Sequence, residues 1–369
     1  MKSVIIIGGG IAGLISAFEL AGSGIQCLVI EKKSYPLHRV CGEYISNEAT
    51  PYLKSIDLYP AAFNPPVMSR FMLSSSDGKY ENMLLDMGGF GISRYAYDHF
   101  LFEKSKERGV EFALNTEVTS VDFMGHSFVV TTHDKIFEAE IVIGAYGKRS
   151  KLDMELNRSF ILKRSPFVGI KYHVKSDHPE DLIALHNFPG GYCGVGKVEN
   201  DTTNLCYLVH RNVLKAYKNI DDMEKEVLFK NPNLKSILSN SEKVFDRPET
   251  INEISFASKA PVENHILMAG DSAGMIAPLC GNGMAMAMHA AKMLSELIVL
   301  YFKKEISRPE LEGAYAKSWN KHLAKRLWAG RQIQHFFGSE TASTFAINLT
   351  LHIKPLARFI IRHTHGKTF

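Results

Sequence analysis

A chain of 369 residues with 45% apolar and 22% charged side chains has the composition of a folded globular protein, with length for more than one domain. A formal charge of +4, dispersed along the chain, gives no electrostatic footprint for nucleic acid. Five cysteines without CxxC spacing write neither a zinc site nor a disulfide framework, which fits a reducing, cytoplasmic setting.

The first predicted element is the β-branched run Val4 to Ile7, a buried parallel strand, followed by Leu14, Ala17, Phe18 and Ala21 at helical spacing. Between them lies GGGIAG. In the pattern GxGxxG, Gly8 makes the turn, Gly10 lets a pyrophosphate approach, and Gly13 lets helix and strand pack closely. Ile11 and Ala12 complete the turn, whose backbone N–H groups would hold the anion. A second strand, CLVIEK, carries Glu31 and Lys32 at its end. Glu31 lies 18 residues beyond Gly13, where a dinucleotide fold places the carboxylate that binds a ribose. The N-terminus shows no signal-peptide cleavage pattern. No apolar stretch is expected to reach the roughly 18 residues that a spanning helix needs.

Further along come RVCGEYIS, from Arg39 to Ser46, and a region from 66 to 91 with Asp77-Gly78 as a hairpin turn. GISRYAYDHFLFEKSKERGVEF begins a helix carrying Arg94 and Asp98, and IVIGAYGKRSKLD closes another strand. FVGIKYHV, LIALHNF, GYCGVGKV and NLCYLVH are four more strands. The strand Ile266 to Ala269 then runs into Gly270-Asp271, a loop with Pro278, and Gly281, Asn282 and Gly283 opening a helix at Met284. A carboxylate at that place can bond a polyol, and a helix N-terminus stabilises negative charge on a reduced ring. Residues 301 to 369 read as helices, with Trp319, Leu323, Leu327 and Ile333 near helical spacing and Trp319 and Trp328 as packing residues. His335, His352, His363 and His365 lack metal-ligand spacing, so no metal is expected. The basic, apolar tail IKPLARFIIRHTHGK reads either as a core-packed terminal helix or as a peripheral membrane contact.

Two motifs in this order resemble the FAD-dependent superfamily of geranylgeranyl reductases and aromatic hydroxylases. The resemblance implies an α/β fold: a Rossmann-like FAD-binding domain over 1–65, 92–155 and 260–300, an interleaved antiparallel-sheet substrate domain over 66–91 and 156–259, and a C-terminal helical region over 301–369. It implies Asp271 on the ribityl chain and Gly281 to Met284 beside the flavin, with Pro278 in the loop between. Arg39, Cys41 and Gly42 would lie near the flavin, Arg94 by the cofactor with Asp98 as a structural bond at the head of the helix, and Val118, Gly144 and Gly147 in the cofactor set. Tyr146 stands where the family reads aspartate in GADGxxS, while Gly147 and Ser150 are kept. In FPGGYCGVGKVEN, Pro189 and Tyr192 are kept, but Gly194 replaces a tryptophan and Gly196-Lys197 replace Phe-Pro, which would widen the pocket. Glu43, Tyr192 and Gly194 are the substrate-side candidates. Glu43, Tyr192 and Cys41 are candidate proton donors, and no residue is assigned to catalysis. The WxWxIP motif of tryptophan halogenases is not found.

The implied function is an FAD-dependent oxidoreductase reducing a carbon–carbon double bond of an apolar small molecule. The alternative is a monooxygenase acting on an aromatic or polyketide-like substrate. A third reading, a GDI-like binding protein for prenylated partners, conflicts with the intact Gly270-Asp271 motif. No second nucleotide fingerprint appears, so electrons are expected from a transient NAD(P)H, a separate flavin reductase or a ferredoxin-like carrier.

Overall fold

The computed structural model describes residues 2–162, 165–277, 281–336 and 366–369. Pro278, His352, His363, His365 and most of the basic tail lie outside the described residues, as do the side chains of Ile333 and His335.

Val4, Ile5 and Ile6 are fully buried, and their strand pairs in parallel with Cys27–Ile30 on one side and Ile136–Gly144 on the other. β-branched residues covered on both faces are what a central parallel strand requires. Ile266–Met268 joins beyond Ile136–Gly144 and Glu111–Ala113 beyond Cys27–Ile30, again in parallel. The helix Ile11–Gly22 connects the first two strands. Its Leu14, Ile15 and Phe18 share a buried cluster with Leu101 and Phe102 of Arg94–Glu107 and with Met284 and Met288 of Gly283–Phe302. Full burial of each large side chain in such a cluster contributes about 1.5–3 kcal/mol.

The helix Gly283–Phe302 corrects one expectation. It is 20 residues long and holds an 18-residue stretch of mean hydropathy 1.3, long and apolar enough to cross a membrane. Ala285, Met288, Ala290, Ala291, Leu294 and Ile298 are instead buried in the protein's own core, which accounts for the composition. The sequence hid the length because alanine and methionine are only moderately apolar and Lys292 and Glu296 interrupt the run.

The second sheet orders Phe167–Lys175, Thr202–His210, Gly191–Val198 and Leu182–Phe188 as antiparallel neighbours, followed by Val67–Ser74 and its hairpin partner Tyr80–Gly91. Two details differ from a purely antiparallel reading of residues 66–91 and 156–259. Leu182–Phe188 and Val67–Ser74 are parallel, which the long excursion through the first sheet permits. Tyr44–Ser46 already belongs to this sheet, paired with Tyr80–Gly91. One face, with Ile170, Tyr172, Val195, Leu205 and Tyr207, shares a cluster with Met223 and Leu234 of the covering helices. The alternate residues Lys171, His173, Asn204, Cys206, Tyr192 and Gly194 form the other face, directed toward the segment 39–43.

The helices Arg308–Trp319 and Lys325–Phe336 are joined by a π-helical turn at Asn320–Ala324. Trp319, Leu323 and Leu327 are buried in the core of the first sheet, whereas Trp328 is 60% exposed and is not a packing residue. One residue after Leu327, it is turned by about 100° around the helix and faces outward.

Candidate cofactor and active site

At Gly8, φ is +103° and an added Cβ would lie 2.4 Å from the carbonyl oxygen of Ala145; at Gly13 it would lie 2.1 Å from that of Gly8. Only glycine fits both places. The Gly9 N–H donates to Glu31 Oε2 at 2.8 Å, and the Tyr35 hydroxyl donates to the Gly9 carbonyl at 2.5 Å. Arg39 reaches Glu31 Oε2 at 3.3 Å and Asp98 Oδ2 at 3.0 Å. Arg94 holds both oxygens of the fully buried Asp98, at 2.6 and 2.7 Å, and lies 3.5 Å from where a Gly10 Cβ would sit. The structure therefore gathers Glu31, Arg39, Arg94 and Asp98 around the glycine turn.

Asp98 is not the head of its helix. Ser93 is the N-cap, accepting from the Ala96 N–H at 3.0 Å, while Asp98 sits a turn further on as the shared anchor of two guanidinium groups. Lys32 is exposed at the end of its strand, and Val118 is buried in the core of the first sheet. An added Cβ on Gly144 would meet Met268 Sδ at 2.5 Å, so this glycine serves strand packing. Gly42 and Gly147 have open space around them, and Ile11 and Ala12 are buried in the first turn of their helix.

The other end of the site is built by the short turn Gly270–Ser272. Lys259 Nζ donates to the carbonyls of Lys148 and Asp271, each at 2.8 Å, and burial pushes its ammonium pKa down to about 8. The Asp271 carboxylate has no hydrogen-bond partner among the described residues, and Asp271 lines a narrow cleft with Gly270, Gly283, Ala287 and Trp319. Gly281, with φ +64°, and Asn282 lead into the helix that starts at Gly283, whose first N–H groups have no partner within the helix. Met284 is buried in the core. A turn that any Cβ would fill, two arginines beside it, and a carboxylate next to a helix start with no partner among the described residues fit an extended dinucleotide with a polyol between its phosphates and its ring.

Tyr146 replaces the expected acid, and Asp153 supplies a carboxylate in its neighbourhood. The Tyr146 hydroxyl donates to Asp153 Oδ1 at 3.2 Å. Arg158 Nη1 lies 2.9 Å from the same oxygen and donates to the Ser272 carbonyl at 2.9 Å, tying this cluster to the Asp271 turn.

Between the two sheets runs the segment 39–43. Its carbonyls are held one by one: Lys171 donates to Arg39 and Lys148 to Val40, both at 3.2 Å, and Asn204 to Cys41 at 3.1 Å. Glu43 accepts from Lys171, from the Arg94 N–H at 2.7 Å, and pairs with His173 Nε2 at 2.6 Å. Lys148, Lys171, His173 and Asn204 were not among the sequence candidates. The one signal was a lysine and a histidine at alternate positions in the otherwise apolar FVGIKYHV.

Glu43 is 1% exposed. Burial by itself would raise its pKa, but the Lys171 charge and the His173 bond outweigh that and hold it at about 2. It is therefore neither a proton donor nor a substrate contact, correcting both readings. Tyr192 is buried within an apolar patch with Leu73, Leu185, Leu208, Ile254 and Met275, and its hydroxyl donates to Gln334 at 3.1 Å. A Cβ on Gly194 would meet only the Cys206 carbonyl, at 3.7 Å, whereas at Gly196 the space is taken by Ile183 and Met68 at 2.9 and 3.0 Å. The opening expected along this strand is confined to Gly194. Cys41 and Cys206 are half-buried, and burial pushes the Cys206 thiol up to about 12, so it stays protonated.

A family model described as FAD binding domain matches residues 1–315. The digeranylgeranylglycerophospholipid reductase of Methanosarcina acetivorans is 26% identical over 337 residues, covering 86% of this chain and 80% of that protein. Among solved structures, the flavin-dependent brominase Bmp2 gives a TM-score of 0.78 at 19% identity, covering 100% of this chain and 94% of its own. A geranylgeranyl bacteriochlorophyll reductase-like protein from Thermoplasma acidophilum gives 0.75 at 15%, covering 100% and 96%. These two structural likenesses are likenesses of fold.

Proposed function

The chain belongs to the FAD binding domain family and is an FAD-dependent oxidoreductase, and from that premise we propose that it reduces a carbon–carbon double bond of an apolar substrate. The observation that carries this reading is the apolar patch of Leu73, Leu185, Tyr192, Leu208, Ile254 and Met275, with its opening at Gly194, on the sheet face that looks toward the cofactor segment. The relative named as a digeranylgeranylglycerophospholipid reductase supports the same substrate class.

FAD, once bound and reduced by two electrons, would supply the hydride. The chain's own residues bind and orient. Glu31 would take the ribose, Arg39, Arg94 and the glycine turn the pyrophosphate, Asp271 the ribityl hydroxyls, and the helix start at Gly281 to Gly283 the developing charge on the ring. The apolar sheet face excludes water and aligns the double bond. Tyr192 is engaged by Gln334 and Glu43 is ionised, which leaves Cys41, half-buried on the intervening segment, as the proton donor of the original three. NAD(P)H or a carrier protein would reload the flavin. Because such a substrate partitions into lipid, peripheral membrane contact is part of the same proposal.

The test is to reduce the FAD-loaded protein by light without oxygen, add prenyl or polyene substrates, and weigh the product. A gain of two hydrogens supports the reductase. Turnover only in air, with one oxygen atom gained, overturns it in favour of the monooxygenase.

A further inference from the structure

We infer that Lys171, buried in the second sheet, is a positioning residue for FAD that acts through Arg39. Its side chain and that of Glu43 are both 0% exposed. A buried ion pair is weak support for stability, because well-packed apolar residues of the same volume often do as well or better. What Lys171 provides is a place for the backbone. Arg39, Val40 and Cys41 lie in no helix or strand, and Lys171, Lys148 and Asn204 each hold one of their three consecutive carbonyls. Glu43, which ends the segment, has φ +55°, a conformation uncommon for a residue with a side chain. Lys171 and His173 grip its carboxylate from one strand, and the Arg94 N–H grips it from the helix that follows Ser93.

The Arg39 side chain runs the opposite way. Its guanidinium meets Glu31 and Asp98 and approaches the Gly9 carbonyl at 3.5 Å. The cation beside the glycine turn is thus placed by a backbone two of whose three carbonyl clamps, Lys171 and Asn204, come from the other sheet. This inference rests on the FAD family alone and not on the reductase reading, and FAD binding can be measured without any substrate.

The experiment titrates FAD into apoprotein and records thermal unfolding of the same samples. Lys171→Met leaves the buried Glu43 with His173 and the Arg94 N–H but without its lysine charge and lowers the Tm; adding Glu43→Gln removes both charges and recovers most of it. Both proteins are expected to bind FAD about tenfold more weakly than wild type or worse, the loss of a charged hydrogen bond at one remove. At saturating FAD the visible circular dichroism of the flavin should also change shape. A double variant with wild-type affinity and spectrum overturns the inference, since stability would then be the whole contribution of Lys171. Should neither variant fold, Lys148→Met and Asn204→Ala carry the test, because each removes one carbonyl clamp without stranding a buried charge. Weaker FAD binding in them supports the inference; wild-type affinity in both overturns it.

Discussion

The two sheets meet at one site but are specified in different currencies. Around the first, what matters is shape: Gly8 and Gly13 are required because any Cβ would run into a carbonyl 2.4 or 2.1 Å away. Around the second, what matters is charge: Lys171, His173 and Glu43 are buried ions and partners whose meaning depends on one another. A steric requirement is met within a few residues of chain, whereas Glu43 and Lys171 are 128 residues apart. The first kind should fail abruptly on single substitution, and the second should be repairable by a compensating one.

The sharpest way to break this contrast is Gly13→Leu, expected to yield protein without bound FAD and destabilised by more than about 4 kcal/mol, read from absorbance and unfolding. No second substitution should rescue it. Next, Lys171→Met should cost about 3–5 kcal/mol in urea unfolding, with most of that returned by Glu43→Gln. If the double variant is as unstable as the single one, the second sheet is as shape-bound as the first.

Acid gives a third handle. The folded-state pKa of Glu43, about 2, lies below its ordinary 4.5. Its stabilising contribution is therefore complete above about pH 4.5 and is lost as pH falls toward 2. Glu43→Gln should flatten that part of the stability curve, and an unchanged slope would show that the carboxylate is not held as described. Asp271→Asn, which removes charge from a carboxylate without a hydrogen bond among the described residues, should weaken FAD about tenfold while leaving unfolding within about 0.5 kcal/mol of wild type. Smallest in its effect on the cofactor is Gly194→Leu. The uncrowded position of its Cβ, in ordinary contact with the Cys206 carbonyl alone, predicts a stability change below about 1 kcal/mol and intact FAD binding, with turnover of a bulky apolar substrate lost. Lost FAD binding there would mean that Gly194 faces something other than substrate.

What was legible in the sequence follows the same division. The strand, turn and helix from Val4 to Ala21, the acid at Glu31 and the turn after Met268 were readable because local spacing fixes them. The four strands from Phe167 to His210 were readable too, by their β-branched and aromatic content. The role of Lys171 was not, since a lysine in a strand ordinarily points to water and only pairing across the molecule tells it to face inward. Glu43 was misread for a related reason: its neighbours in sequence, Gly42 and Tyr44, say nothing of Lys171 and His173. Asp153 taking up position beside Tyr146 likewise depends on a turn seven residues later.

The order of strands in the first sheet also sets a birth order for the protein. Its central strands come from residues 2–30 and 136–144, but the neighbour Ile266–Met268 and the Asp271 turn follow only after residue 265. At about 5–20 residues per second, the 122 residues from Gly144 to Ile266 take the ribosome roughly 6–24 s. During that time the nascent glycine turn has no far wall for its cofactor, while the second sheet, drawn largely from residues 44 to 252, is completed. Chains stalled before residue 262 should therefore carry a protease-resistant second sheet and retain no FAD. If so, the second sheet is a template on which the first is finished.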